Sequence, residues 1–179
     1  EQGRMAGVCI GFAADSTSID DLGRPLIGAQ RSAQVDLLVN PDDPDGWHAH
    51  SAPAGPSSRR SRWIDVGASE AGFQVTVGFQ DSAARPDGSR LAIHEYRLSA
   101  RIQPDGAELC DLSVVPHVLP HPECPRAVHN LNRLEGCAID DLRSQVPLLL
   151  AKELGCTHLN DVLRALSAVP ALAAHLAQG

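Results

Sequence analysis

No Cys-x-x-Cys pair, no glycine-rich phosphate loop, no dinucleotide fingerprint and no internal repeat occurs in this sequence. The first absence removes the usual paired-ligand metal and redox motifs, and the next two remove the standard nucleotide cradles. No apolar run approaches the ~20 residues that a bilayer-spanning helix needs. Basic residues are also scarce: 15 Lys and Arg stand against 22 Asp and Glu, a net charge of -7. Nucleic acid and anionic membranes are held by clustered cations. The single basic cluster, SSRRSRW at 57–63, is too short to supply them, so neither partner is expected.

What is present is enough for one ordinary domain, with 179 residues of which 43% are hydrophobic. Cys9, Cys110, Cys124, Cys137 and Cys156 form an odd set in a chain long enough to need no disulfide staples, which fits a reducing cytoplasm. MAGVCIGFAA at 5–14 is too short, too glycine-rich and too poor in positive charge for a signal peptide. A cytoplasmic location is expected.

Residues 1–58 read as an N-terminal arm. AQVDLLV at 33–39 alternates as a short strand, and the stretch at 40–58 is so dense in Pro, Gly, Asp and Ser that it must be loop, with His48 and His50 solvated in it. Residues 59–179 read as the domain proper. RWIDVGA, GFQVTVGFQDS, RLAIHEYRLSARI and AELCDLSVV are period-two runs, separated by RPDGS and QPDGA turn signals. Past the loop PHVLPHPECP the period becomes 3.6, predicting two helices at 139–154 and 157–177, each interrupted by one proline. The fold class is α+β: an antiparallel meander of three to five strands, followed by two helices packed on the sheet. The exposed edge of such a meander makes a homodimer plausible.

Alternation also says where the polar groups point. Phe73, Val75, Val77 and Phe79 share a face, and the next residue on it is Asp81; His94 and Tyr96 share the inward face of Leu98, Ala100 and Ile102. Glu95 faces the other way and is expected to pair across the sheet or at an interface. Folding the two strands about Pro86 and Asp87 sets Phe79 opposite His94 and makes Asp81 its diagonal neighbour, roughly 7–8 Å away. Asp81, His94 and Tyr96 would then line one pocket mouth. The plainer explanation is that His94 and Tyr96 are core polar groups with their hydrogen bonds satisfied and that Asp81 anchors the turn. In favour of function, an imidazole poised by a carboxylate can act as acid or base near neutral pH.

In GCTHLND at 155–161, Thr157 is the expected N-cap, and Leu159, Val162, Leu163 and Leu166 form the core stripe. Asp161 lies in the first turn, where the helix dipole favours an anion, and His158 stands beside it off the stripe. Together with HPEC at 121–124, this corner offers a zinc site of Cys124, Cys156 and His158 with His94 or His121. A Cys124–Cys156 disulfide, or separate packing and capping roles, are the alternatives. No oxyanion-hole glycine pattern accompanies a Cys/His nucleophile pair.

FQDS, AIHEY, VLPHPECP, RLEG and GCTHLNDVLRAL, in that order, resemble the bacterial family catalogued as domain of unknown function 2889, its actinobacterial branch above all, over about residues 59–177. His121 departs from the aromatic residue expected in that branch. The resemblance implies no reaction and no cofactor. It marks Asp81, His94, Glu95, Tyr96, Glu123, Cys124, Cys156, His158 and Asp161 as positions of interest.

Three functions are expected to compete. The first is a cofactor-independent lyase, hydrolase or isomerase acting on a small molecule, with His94 as acid or base, Asp81 orienting it, Tyr96 or Glu123 handling a second proton, and His158 a further candidate catalytic residue. The second is a non-catalytic binding or assembly module, and the third a zinc-stabilised Cys/His domain.

Overall fold

The computed structural model describes residues 4–26, 28, 30–46, 56–105 and 107–176. His48, His50 and Gly106 of the second turn lie outside the described residues. A two-residue strand, β1 (Ala33–Gln34), precedes four longer ones: β2 (Ser57–Ser69), β3 (Gly72–Ala84), β4 (Arg90–Ile102) and β5 (Leu109–Val118). All pairings are antiparallel. β4 carries β3 on one side; on the other, β1 and β5 share its length. The strand expected at 33–39 is thus much shorter. Past Val35, whose N–H still donates to the Arg90 carbonyl, the chain leaves the pairing and crosses the outer face, where Gln80 donates to the Asp36 carbonyl and Leu38 is buried.

One face of the sheet is apolar because alternation makes it so. Val75, Val77, Phe79, Tyr96, Leu98, Ala100, Ile102, Leu109 and Val114 are all buried in the core. Helical segments cover them. The residues after the turn at Leu119–Glu123 form a 3-10 run, Cys124–Leu134, that buries Cys124, Ala127, Leu131 and Leu134 where only a loop is expected as far as Pro125.

The helix expected at 139–154 is broken into a 3-10 turn (Ile139–Asp141), α1 (Leu142–Leu149) and a second 3-10 turn (Lys152–Leu154). Pro147 lacks the N–H that would continue the ladder, and α1 ends two residues later. The last helix is likewise α2 (Thr157–Ala165), a 3-10 turn, and α3 (Val169–Leu176), with Pro170 in the first turn of α3, where a missing N–H leaves nothing unpaired. Leu159, Val162, Leu163 and Leu166 are completely buried, as their spacing predicts. At about 1.5–3 kcal/mol for each fully buried leucine, that stripe clamps α2 to the sheet and fixes its first turn. No helix among the described residues is long and apolar enough to cross a membrane.

The pairing of β3 and β4 differs from the expected one by two positions. Phe79 pairs with Tyr96, and Asp81 lies directly opposite His94. Two single-residue changes add up to this. The turn spans the five residues Arg85–Ser89, closed by the Arg85 N–H on the Ser89 carbonyl, and Ile93 is bulged out between the Asp81/His94 and Ser82/Ala92 pairs. A shift of two preserves the faces, so Asp81 and His94 still point inward, and closer together than expected.

Candidate functional site

At the top of the inner face the Asp81–His94 pair meets the start of α2. The His94 and His158 rings stack nearly parallel, with centroids 3.5 Å apart and an interplanar angle of 17°. Nε2 of His158 lies 3.3 Å from Oδ2 of Asp81, and its other ring nitrogen meets the Thr157 hydroxyl at 3.4 Å. Arg60 grips the same Asp81 oxygen at 2.8 Å, while Asp161 lies 3.6 Å from both Arg60 and Arg62. Arg60 also lies over the Phe79 ring, 5.6 Å from its centroid. The result is a ladder of a guanidinium, a carboxylate, a partly exposed imidazole and a buried one.

His94 is only 6% exposed, and its Nδ1 has no hydrogen-bond partner. Burial, reinforced by His158, Arg60 and His121 nearby, pushes its pKa down to about 3, so the ring is neutral at physiological pH. His158 is also shifted down. Burial is the largest cause, opposed by Asp81, which favours the charged form.

Below the stack lies Cys156. The donor atoms of His94, Cys156 and His158 all lie within 4.8 Å of one another. Tyr96 does not reach the pocket mouth expected of it. It is 1% exposed and donates its hydroxyl to Sγ of Cys156 at 3.4 Å, and burial raises its pKa far above the ordinary phenol value. Its side chain is the floor of the cluster, and its hydroxyl stays protonated at neutral pH.

Glu123 and Cys124 are engaged elsewhere. The Glu123 carboxylate is buried, and one oxygen accepts from the Thr17 backbone N–H at 2.9 Å and the Thr17 hydroxyl at 3.0 Å. Burial acts to raise its pKa, but these donors outweigh it and the net shift is downward. Its bonded oxygen is an acceptor that ties Thr17 to this turn. Cys124 is a buried free thiol pushed up to about 12 by desolvation, with Cys156 nearby adding to the shift. It is not one of the three converging donors, where His94 takes its place. Cys156 is free as well, so the two are not bridged. Glu95 faces away as expected, accepting from Gln80 at 3.1 Å and pairing with Arg97 at 3.1 Å.

Residues 9–18 close the site from beneath. Ile10, Phe12 and Ala13 are buried, Phe12 packs on the His121 ring, and the Ile10 N–H donates to the Gly155 carbonyl at 2.9 Å. Gly11 is required there, because a Cβ would sit 2.9 Å from Sγ of Cys124. His121 in turn borders a recess of about 340 Å³ shared with Arg31 and His117.

One residue at the site is not found by sequence reasoning, and the helix start falls one position from where it is expected. Arg60 is visible there only as part of a basic cluster, although it pairs directly with Asp81 across β2 and β3. Cys156, rather than Thr157, occupies the N-cap position, and its carbonyl accepts the first helical bond from Asn160 at 2.8 Å. This places Thr157 and His158 on the first turn. Gly155 sets that entry. A methyl there would overlap the Leu150 carbonyl oxygen and crowd the Asn160 amide that bonds to it. Gly155→Ala should therefore destabilise the protein by about 1–3 kcal/mol, measured as a lower urea midpoint at unchanged slope.

A family described as protein of unknown function (DUF2889) matches residues 58–171. No curated protein and no solved structure matches the chain. The match covers more than half of the chain and takes in every residue of the Arg60, Asp81, His94, Tyr96, Cys156 and His158 cluster, while the 9–18 segment beneath it lies outside. The chain belongs to the DUF2889 family.

Proposed function

We propose that the chain is a small-molecule enzyme, a lyase, hydrolase or isomerase, whose reaction site is the Asp81–His158–His94 cluster. The single observation that carries this reading is the partly exposed His158 ring, 3.3 Å from the Asp81 carboxylate and stacked on a buried, neutral His94. Asp81 orients the imidazole and stabilises the imidazolium formed when His158 takes a proton. Arg60 neutralises part of that carboxylate, which keeps His158 from being locked in the charged form. His94 does not exchange protons in this scheme. It supplies a neutral, apolar wall that desolvates His158 and tunes it. The exchanging role passes from His94, where alternation alone puts it, to His158, whose ring is the more open to solvent.

The test is a screen of small esters, amides, hydroxy acids and carbonyl compounds with the full chain, run beside His158→Gln. Turnover that disappears in a folded His158→Gln supports the reading. Turnover unaffected by the substitution overturns it. So does capture of a protein partner equally well by both forms with no turnover by either, which would make the chain a binding module.

A further inference from the structure

His94 presents a problem that the proton-transfer scheme leaves unsolved. Its Nδ1 is buried and unpartnered, in a ring only 6% exposed, and an orphaned buried polar group costs about 1–3 kcal/mol. Nothing about packing requires two imidazoles to stack face to face over a thiol. A shared ligand would account for the convergence of these donors.

We propose that His94, Cys156 and His158 bind one zinc-class divalent cation, leaving a fourth position open toward solvent. The donor set is two imidazoles and a thiol, which favours zinc or cobalt and disfavours magnesium or calcium, whose ligands are oxygens. Zn–N bonds of about 2.0–2.1 Å and a Zn–S bond of about 2.3 Å put tetrahedral donors about 3.4–3.6 Å apart. The three donors here lie within 4.8 Å; closing the site takes an approach of about an ångström and a turn of the stacked rings out of parallel, so that their in-plane lone pairs converge on the ion.

The surroundings are those of a metal centre. Asp81 lies 3.3 Å from one nitrogen of His158 and Arg60 holds Asp81 in turn, the placement of a carboxylate that orients a ligating histidine. The Tyr96 hydroxyl, 3.4 Å from Sγ, is placed to donate to a coordinated thiolate. On binding, the S–H bond of Cys156 breaks, the sulfur pair forms the metal bond and the proton leaves to solvent. Three protein ligands with one open position is the arrangement of catalytic rather than structural zinc.

This inference rests on the reading of the cluster as the reaction site and changes only which group carries the proton: a metal-bound water in place of His158. The test uses the reduced full chain, stripped with chelator, then titrated with cobalt(II) by absorbance and with zinc by calorimetry. One equivalent should bind, with a sulfur-to-cobalt charge-transfer band that is lost in Cys156→Ser and kept in Cys124→Ala, both variants being checked for fold by thermal melting. Asp81→Asn should weaken zinc binding by roughly 10–100-fold while the band remains. No uptake of either metal overturns the inference, as does a band that survives Cys156→Ser or His94→Gln. If no metal binds but turnover depends on His158, the metal is wrong and the proton-transfer reading stands. If these donors hold the metal but turnover is unchanged in His158→Gln, the metal site stands and the proton-transfer reading falls.

Discussion

Lowering the pH from 7 to 5 should remove about 2 kcal/mol of stability from the metal-free protein. The sign follows from His94. Its folded value of about 3 lies below the ordinary 6.5, so between those limits the unfolded chain binds the extra proton. The contribution is complete above about pH 6.5 and is lost as the pH falls. His158, also shifted down, adds in the same direction. The window is chosen to avoid the carboxylates: Asp20, Asp87 and Glu123 are held below their ordinary values and begin to matter only under about pH 4.5. Urea denaturation at pH 7 and pH 5 in chelator measures the loss, and His94→Gln should remove most of the difference. A variant as acid-sensitive as the wild type would mean that His94 is not the group being protonated.

Replacing His158 with Gln should lower turnover by roughly 10²–10⁴-fold, the usual worth of one positioned proton-transfer group, while leaving the melting temperature nearly unchanged. Gln can still donate to Asp81, and position 158 lies off the buried stripe of α2, so the fold loses little. Asp81→Asn should cost less, because it removes the orienting charge and leaves the imidazole. Since the two act as a unit, the double variant should be no slower than His158→Gln alone. Additive losses in the double variant would separate Asp81 from His158 and leave Asp81 as an anchor for Arg60.

Much of this site is legible from alternation and spacing. The inward direction of Asp81, His94 and Tyr96 follows from period two, and the burial of Leu159, Val162, Leu163 and Leu166 from period 3.6. Contacts that join distant segments without a pattern are not legible. Arg60 can be matched with Asp81 only by knowing the register of β2 on β3, and no turn signal spells out that register. The strap at 9–18 has no periodicity, and its bond from Thr17 to Glu123 spans 106 positions. The bulge at Ile93 has no glycine to announce it, yet with the longer turn it converts a diagonal Asp81–His94 relation into a direct one. Tyr96 falls on the expected face but deeper than expected, because alternation gives direction and not distance from the surface.

The most direct measurement is a histidine ring-nitrogen NMR titration of the reduced, metal-free chain, with His94→Gln and His158→Gln used to assign the two rings. The stacked arrangement predicts that the His94 ring stays neutral from pH 8 down to at least pH 5, and that Asp81→Asn moves the His158 resonances and leaves His94 neutral. A His94 ring that titrates near the ordinary value of 6.5, or a His158 ring indifferent to Asp81, would contradict the site.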